Sequence, residues 1–374
     1  MRIGVDARVF SLPELRGIGS YLTELLAAWP VASDTFVLMS PGPIPGVRLQ
    51  SPASLETVVV PHPRGYRFRV WDWWSLPRAV GRIRADLLWS PANQAVPLAG
   101  LPQVVTIHDT LLQERVLHDA LLDRLFHGSV SPFWVRRYAT RVITVSRFSL
   151  DRIQTVYSLA SGVGRVIYNG ATLAPRPFQD KSLARMHLRE KGLVPGPFVL
   201  ALGAESSWKN TEGAIRAFAL VAREVPDVAF VLAGVQDGAR ERFDALRREL
   251  GLGQRLRILA FVDQEDRDAL YQGAEVFVYP SLFEGFGLPP LEAMALGTPV
   301  VASRAASIPE VVGQAGLLVD ATDPAELSRG VLRVLQSTEL AQTLVAAGLE
   351  NIRRFRWSDA AEAHRELFLE SLAS

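Results

Sequence analysis

The chain has 374 residues, room for two domains of ordinary size that each bury a core. Charged residues at 21% and hydrophobic ones at 48% describe a globular chain, and the absence of Cys excludes a disulfide framework and a thiolate metal site. Its net charge is only +1, the N-terminus shows no basic-apolar-small leader pattern, and no run of about 18 apolar residues offers a membrane span, so a cytoplasmic protein is expected.

Met1 to Val5 reads as a first buried strand. Arg16-Gly17-Ile18-Gly19 then precedes an amphipathic helix from Ser20 to about Trp29, with Tyr21, Leu22, Leu25 and Leu26 at helical spacing. A dinucleotide fingerprint needs a third glycine where Leu22 stands and a shorter loop after the strand, which disfavours a hydride-transferring enzyme. Residues 40–54 are rich in Pro, Gly and Ser and read as a loop. The stretch that follows interleaves Arg64, Arg67, Arg69, Arg78, Arg82 and Arg84 with Trp71, Trp73 and Trp74. Two readings stay open: a helix laid on a sheet with its Trp residues inward and its Arg heads in water, or a lipid interface. Nucleic acid is not an expected partner, because no DNA- or RNA-binding motif accompanies the basic residues.

Residues 86–90 and 103–107 are the next expected strands, and the second delivers His108-Asp109-Thr110 to its C-terminal end, where open α/β sheets place their sites. A helix near 119–138, strands at 141–145 and 164–167 and a helix opened by Ser146-Arg147 complete the first half. Residues 171–196, rich in Pro and charge, read as a linker. A second βαβ series starts at Phe198–Gly203, followed by Glu205-Ser-Ser-Trp208-Lys209-Asn210. Lys209 is one of only three lysines in a chain that prefers Arg, and a compact ammonium on a flexible stem suits a phosphate. Further strands are expected at 228–234 and 255–262.

The most informative stretch runs from Val276 to Ser303. A short apolar run ended by Pro280 reads as a buried strand, Pro289-Pro290 suit the first turn of a helix, and Gly297 sits where a residue just past the helix belongs. The loop Glu284-Gly285-Phe286-Gly287 enters that helix, with Glu292 expected within its first turn or so. Glycines there admit a ligand to the backbone, and exposed N–H groups with the helix dipole favour an anion. Two flanking carboxylates do not bind that anion. They accept hydrogen bonds from hydroxyls on either side of it, such as a sugar at one end of a diphosphate and a ribose at the other. A strand at 316–320, helices to about residue 354 and a last helix from Arg356-Trp357-Ser358 close the chain.

Glu284 and Glu292, eight apart around Gly-Phe-Gly-Leu-Pro-Pro, resemble the E-x7-E string of family 4 glycosyltransferases, and the branch that builds bacterial surface polysaccharides looks nearest, with its many mannosyltransferases. The resemblance extends along most of the chain. It implies an α/β GT-B fold of two Rossmann-like domains facing across a cleft: residues 1–172 on the acceptor side, 173–355 for the donor, and 356–374 as a helix crossing back to the first domain. It implies a retaining transfer of a hexose, mannose first, from a GDP- or UDP-linked sugar to a glycan or polyprenyl-linked acceptor, without a metal or other cofactor. By position, Lys209 is implied on the donor diphosphate with the Gly285, Phe286, Gly287 and Leu288 backbone. Glu284 is implied on a sugar hydroxyl, Glu292 on the ribose, His108 near the reacting centre and Asp109 near the acceptor. Gly17, Gly19, Gly203 and Asn210 are implied around the donor, Phe261 and Val262 at the nucleobase, and Tyr168-Asn169-Gly170 as the turn between domains.

The chain departs from that pattern where Trp208 and Ala204 stand in place of family arginines, which removes one expected cation, with Arg8 and Arg147 as candidates to compensate. Residues 1–172 hold 18 Arg, no Lys and 12 carboxylates, a net +6, whereas the remainder nets −5. That asymmetry suits peripheral contact with an anionic membrane face, or reflects only the preference for Arg. Two rival functions share the fold: a sugar-nucleotide epimerase, which needs no acceptor, and an inactive nucleotide-binding partner of a glycan assembly complex.

Overall fold

The computed structural model describes residues 1–11, 17–44, 51–61, 70–98, 100–114, 126–171 and 177–373. It divides into two compact units, Met1–Gly170 with Phe355–Ser374, and Ala171–Arg354.

The first unit is built on a parallel sheet of seven strands in the order β3-β2-β1-β4-β5-β6-β7. These are β1 (Arg2–Asp6), β2 (Thr35–Ser40), β3 (Ser54–Val59), β4 (Leu87–Ser90), β5 (Gln103–Ile107), β6 (Arg141–Thr144) and β7 (Gly164–Val166). The central strands are apolar runs buried on both faces, as βαβ crossovers require. Helix α1 (Ile18–Ala27) lays Tyr21, Leu22, Leu25 and Leu26 on the sheet. The last helix, Trp357–Leu372, packs against it through Trp357, Ala361, His364 and Phe368, a spacing of three or four residues that makes one continuous stripe. Tyr21 donates to His364 Nε2 at 2.6 Å, and Asp34 gathers the N-terminal amine, Trp29 and Arg365. Gly170 packs tightly on the start of this helix: a Cβ there would lie 2.4 Å from the Trp357 backbone nitrogen and ring.

Residues 35–40 and 54–59 form strands that were not anticipated, so the segment read as loop ends in β3, an outer strand with an exposed, polar pattern. The Arg/Trp stretch is helical from Trp71 to Ile83, but only Trp71 turns inward, whereas Trp73 and Trp74 are 54% and 59% exposed. Arg16, Arg64, Arg67, Arg69 and the beginning of the helix expected near 119–138 lie outside the described residues. From there on, α4 (Ser131–Tyr138) is helical; α2 is Leu76–Ile83 and α3 the short Leu111–Glu114. Helix α5 (Arg147–Tyr157) is capped by Ser146, whose hydroxyl accepts from Ser149 N.

The second unit carries a six-stranded parallel sheet ordered β10-β9-β8-β11-β12-β13. Its strands are β8 (Phe198–Leu202), β9 (Ala229–Ala233), β10 (Leu256–Ile258), β11 (Val276–Tyr279), β12 (Val300–Ser303) and β13 (Leu317–Val319). Strand β10 is shorter than the expected 255–262 span; beyond it Leu259 still donates to the Leu232 carbonyl, and the Leu259 and Ala260 carbonyls accept from Val235 and Gly234. Part of the expected linker is instead helix α6 (Lys181–Glu190), capped by Asp180. It packs through Ala184 and Leu188 on α9 (Gln264–Gly273), with Arg185 donating to the Gly273 carbonyl. Helices α7 (Thr211–Glu224) and α8 (Asp237–Glu249) follow β8 and β9. Helix α10 (Leu288–Ala295) follows β11, with Pro in its first turn and Gly297 left-handed just beyond its end. No helix of the described residues is long and apolar enough to cross a membrane.

Candidate functional site

In an open parallel sheet, ligands bind beyond the carboxyl ends of the strands where the strand order reverses. In the second unit that point lies between β8 and β11. The loops leaving these two strands carry Lys209 and Glu284, and the structure joins them: Lys209 Nζ lies 2.7 Å from Glu284 Oε1. Both side chains keep access to solvent, Glu284 less than Lys209.

The loop from β11 is anchored residue by residue. Leu282 N and Ser281 Oγ donate to the Trp208 carbonyl, at 2.7 and 3.2 Å, so Trp208 ties the β8 loop to the β11 loop through its backbone. Asn210, in left-handed conformation, spends its side-chain amide on the Ala321 and Pro280 carbonyls, which holds the turn before α7. Ser307 reaches from the β12 side to the carbonyls of Glu284 and Phe286, at 2.9 and 2.8 Å. With those carbonyls turned toward Ser307, Phe286 is buried and the chain enters α10 through Gly287 at φ 109°, a conformation that disfavours any side chain. Glu292 stands in the second turn of α10 rather than the first.

Two buried tyrosines lie beneath the carboxylates and were not singled out from the sequence. Tyr271, on α9, donates to Glu292 Oε2 at 2.9 Å. Tyr279, the last residue of β11, hydrogen-bonds Glu284. Burial first, and then the adjacent carboxylate, pushes each phenol well above its ordinary range, so both remain donors. Each carboxylate is thus oriented from below. Strand-end placement was a signal for Tyr279, while nothing local marked Tyr271.

Gly203 directly follows β8, its N–H bonded to the Ala233 carbonyl at 2.8 Å. Phe261 stands on the loop after β10, at the same edge of the sheet, and is 76% exposed beside half-buried Val262. Among the described residues no three His, Asp or Glu side chains gather as a metal site.

The first unit reverses its strand order between β1 and β4. His108, just past β5, is held by the segment after β4: its backbone N–H donates to Asn93 Oδ1 at 2.8 Å and its Nε2 lies 3.0 Å from the Pro91 carbonyl. A carbonyl only accepts, so Nε2 carries the proton and Nδ1 keeps its lone pair. Burial lowers the His108 pKa to about 4, against a smaller opposite pull from Pro91, so the ring is neutral at pH 7. Tyr21 packs edge-on against it, ring centres 4.8 Å apart. Asp109 accepts from Leu111 N in an Asx turn. Gly17, with φ 54°, opens α1, and Gly19 is buried one residue in.

Arg8 is engaged within the first unit. It is buried between Asp6 and Asp72, with Trp71 Nε1 donating to Asp6 at 3.1 Å. Burial alone would lower its pKa, but the two carboxylates reverse that and raise it, so the guanidinium is charged and committed. Arg147 is the exposed first residue of α5.

Comparison with known proteins agrees with this architecture. The model "Glycosyl transferases group 1" matches residues 188–350, and the model "Glycosyltransferase Family 4" matches residues 15–174. O-antigen chain mannosyltransferase B of Escherichia coli is 29% identical over 331 residues, 83% of this chain and 78% of that protein. The Escherichia coli serotype-specific mannosyltransferase WbdA is 30% identical over 291 residues, 75% of this chain but only 35% of that larger protein. Among solved structures, sucrose-phosphate synthase from Thermosynechococcus elongatus superposes with TM-score 0.78 at 22% identity, over 100% of this chain and 99% of that one. Anabaena HepE in complex with UDP-glucose superposes with TM-score 0.75 at 19% identity, over 99% of each chain. With both halves matched and the two parallel sheets in place, the chain belongs to the family 4 glycosyltransferases of GT-B fold.

Proposed function

We propose that this glycosyltransferase moves a hexose, with mannose as the first candidate, from a nucleotide-diphosphate sugar to a glycan or polyprenyl-linked acceptor, with retention of anomeric configuration. The observation that carries the reading is the Lys209–Glu284 pair at the strand-order reversal, beside the Gly285–Leu288 backbone that enters α10. The names of the relatives favour mannose, and the UDP-glucose in HepE favours a nucleotide-sugar donor.

In this reading the reaction breaks the bond from C1 to the diphosphate and forms a bond from C1 to the acceptor oxygen on the same face. The acceptor proton goes to the departing phosphate oxygen. Lys209 and the Gly285–Leu288 backbone stabilise charge on the leaving diphosphate in preorganised positions. Glu284 accepts from a sugar hydroxyl, Glu292 from the ribose, and Phe261 and Val262 border the base. His108 offers Nδ1 as an acceptor to the sugar, and Asp109 faces the acceptor. No metal and no covalent glycosyl-enzyme take part, so chelator leaves the rate unchanged, and a trapped glycosyl-Glu284 would overturn the scheme. The enzyme works in the cytoplasm, its basic first half against the membrane that carries the acceptor.

Thermal shift with GDP-, UDP- and ADP-sugars, on wild type and Glu292→Ala, tests the donor. A ligand that binds only the native state raises its melting temperature by mass action. One sugar should shift wild type and fail to shift the variant. A donor that is isomerised without any acceptor would replace the transferase with an epimerase, and binding with no turnover toward any acceptor would leave a nucleotide-binding partner.

A further inference from the structure

The helical segment 71–83 has two faces. Trp71, Asp72, Ser75, Leu76, Ala79, Val80 and Ile83 turn into the unit, with Asp72 ion-paired to Arg8. Trp73, Trp74, Arg78 and Arg82 turn outward, and Trp74, Arg78 and Arg82 follow one line of the helix at four-residue steps. The Arg78 guanidinium stacks 3.0 Å from the centre of the Trp74 ring. Trp73 meets Trp134 of α4, ring centres 5.5 Å apart, and α4 itself exposes Phe133 to 52% with Arg136 and Arg137 beside it. Neither Trp71–Ile83 nor Ser131–Tyr138 presents an exposed carboxylate.

Exposed large aromatics on a helix face are costly in water unless something covers them, and three on adjoining helices make a patch. The cover must also match the charge. Indole rings backed by arginines, with no acid among them, have the composition of a side chain set that settles at the headgroup level of a bilayer, aromatics at the acyl boundary and guanidinium groups among phosphates. A protein partner would have to supply a matching acidic surface, whereas an anionic bilayer supplies one uniformly. We propose that this face, formed by Trp73, Trp74, Phe133, Arg78 and Arg82, seats the enzyme on an anionic lipid surface. The inference deepens, and rests on, the proposed work of the basic first half at a membrane.

Vesicle flotation of the full chain tests it without donor or acceptor. Wild type should rise with vesicles of phosphatidylcholine containing about one third phosphatidylglycerol and stay behind with phosphatidylcholine alone. Trp73→Ser with Trp74→Ser, and separately Arg78→Glu with Arg82→Glu, should each lower the bound fraction by about tenfold. Melting temperatures should not change, because none of these side chains is in the core. Arg240→Glu, an exposed position on the second unit, should float like wild type. If wild type floats and the face variants float equally well, the membrane reading stands and this face is not the contact. If wild type stays behind with both vesicle types, face and membrane reading fall together, and the tryptophans belong to a protein partner.

Discussion

Lys209 and Glu284 lie 75 residues apart in the chain and face each other in the fold. Family resemblance gives them different targets, diphosphate and sugar hydroxyl, and no sequence pattern announces that they pair with one another. The pairing has a consequence for binding. An arriving diphosphate attracts the ammonium and repels the carboxylate, so part of the binding energy is used to separate the two. A partly exposed ion pair of this kind contributes about 1 kcal/mol or less. Glu284→Gln should therefore bind the bare nucleoside diphosphate up to about fivefold more tightly, since that energy corresponds to such a factor. The same variant should lose transfer by about a hundredfold, because the sugar loses its hydroxyl acceptor. Calorimetry against steady-state rates separates the two effects. Unchanged or weaker diphosphate binding in Glu284→Gln would mean that the Lys209 ammonium does not turn to phosphate.

At the scale of elements, the strand-loop-helix-strand from Val276 to Ser303 was legible because each boundary carries its own chemistry: Pro280 after the strand, Pro in the first helical turn, Gly297 past the last. Strand β3 was not, since an outer strand with the burial pattern of SLETVV shows no apolar run, and its existence depends on β2 beside it. Helix α6 was hidden by charge: ten residues bury only Ala184 and Leu188, too little for composition to reveal. The Arg/Trp helix shows the opposite failure. Its inward positions, 71, 75, 76, 79, 80 and 83, follow helical spacing, and reading that period would have left Trp73 and Trp74 outside. What fastens this helix to β1 is a contact no pattern predicts, Arg8 between Asp6 and Asp72. Removing one member of a buried ion network leaves charges without compensation, at a cost of about 3–5 kcal/mol. Arg8→Ala strands two carboxylates at once. Denaturant unfolding should show a loss of about that size; a loss under about 1 kcal/mol would mean that water reaches the site and replaces the guanidinium.

The whole molecule should show its two units in its response to acid. His364 is fully buried in the first unit, with Nδ1 against the Ala360 carbonyl at 2.7 Å and Nε2 against the Tyr21 hydroxyl. Nδ1 therefore holds the proton and Nε2 accepts from Tyr21, an arrangement that only the neutral ring permits. Burial lowers its pKa to about 4, with Ala360 acting the other way and His108 adding to the fall. His108, in the same unit, is lowered to about 4 as well. For a base whose folded pKa lies below its unfolded value near 6.5, the unfolded chain binds more protons between the two values, so stability falls as the pH drops through that window. At pH 5 His364 alone accounts for about 2 kcal/mol relative to neutral pH. In the second unit the Asp266 carboxyl is held low: burial would raise it, but Lys191 and His187 lower it further than that. Its contribution is therefore lost only below the ordinary carboxylate range. Calorimetry between pH 7 and pH 5 should accordingly show the transition of the first unit moving down while that of the second holds closer to its place. His364→Gln, which keeps an acceptor for Tyr21 but cannot titrate, should remove a large part of that movement and leave the share due to His108. An equal shift of both transitions, or no effect of His364→Gln on the pH dependence, would mean that this buried histidine does not set the acid sensitivity of the fold.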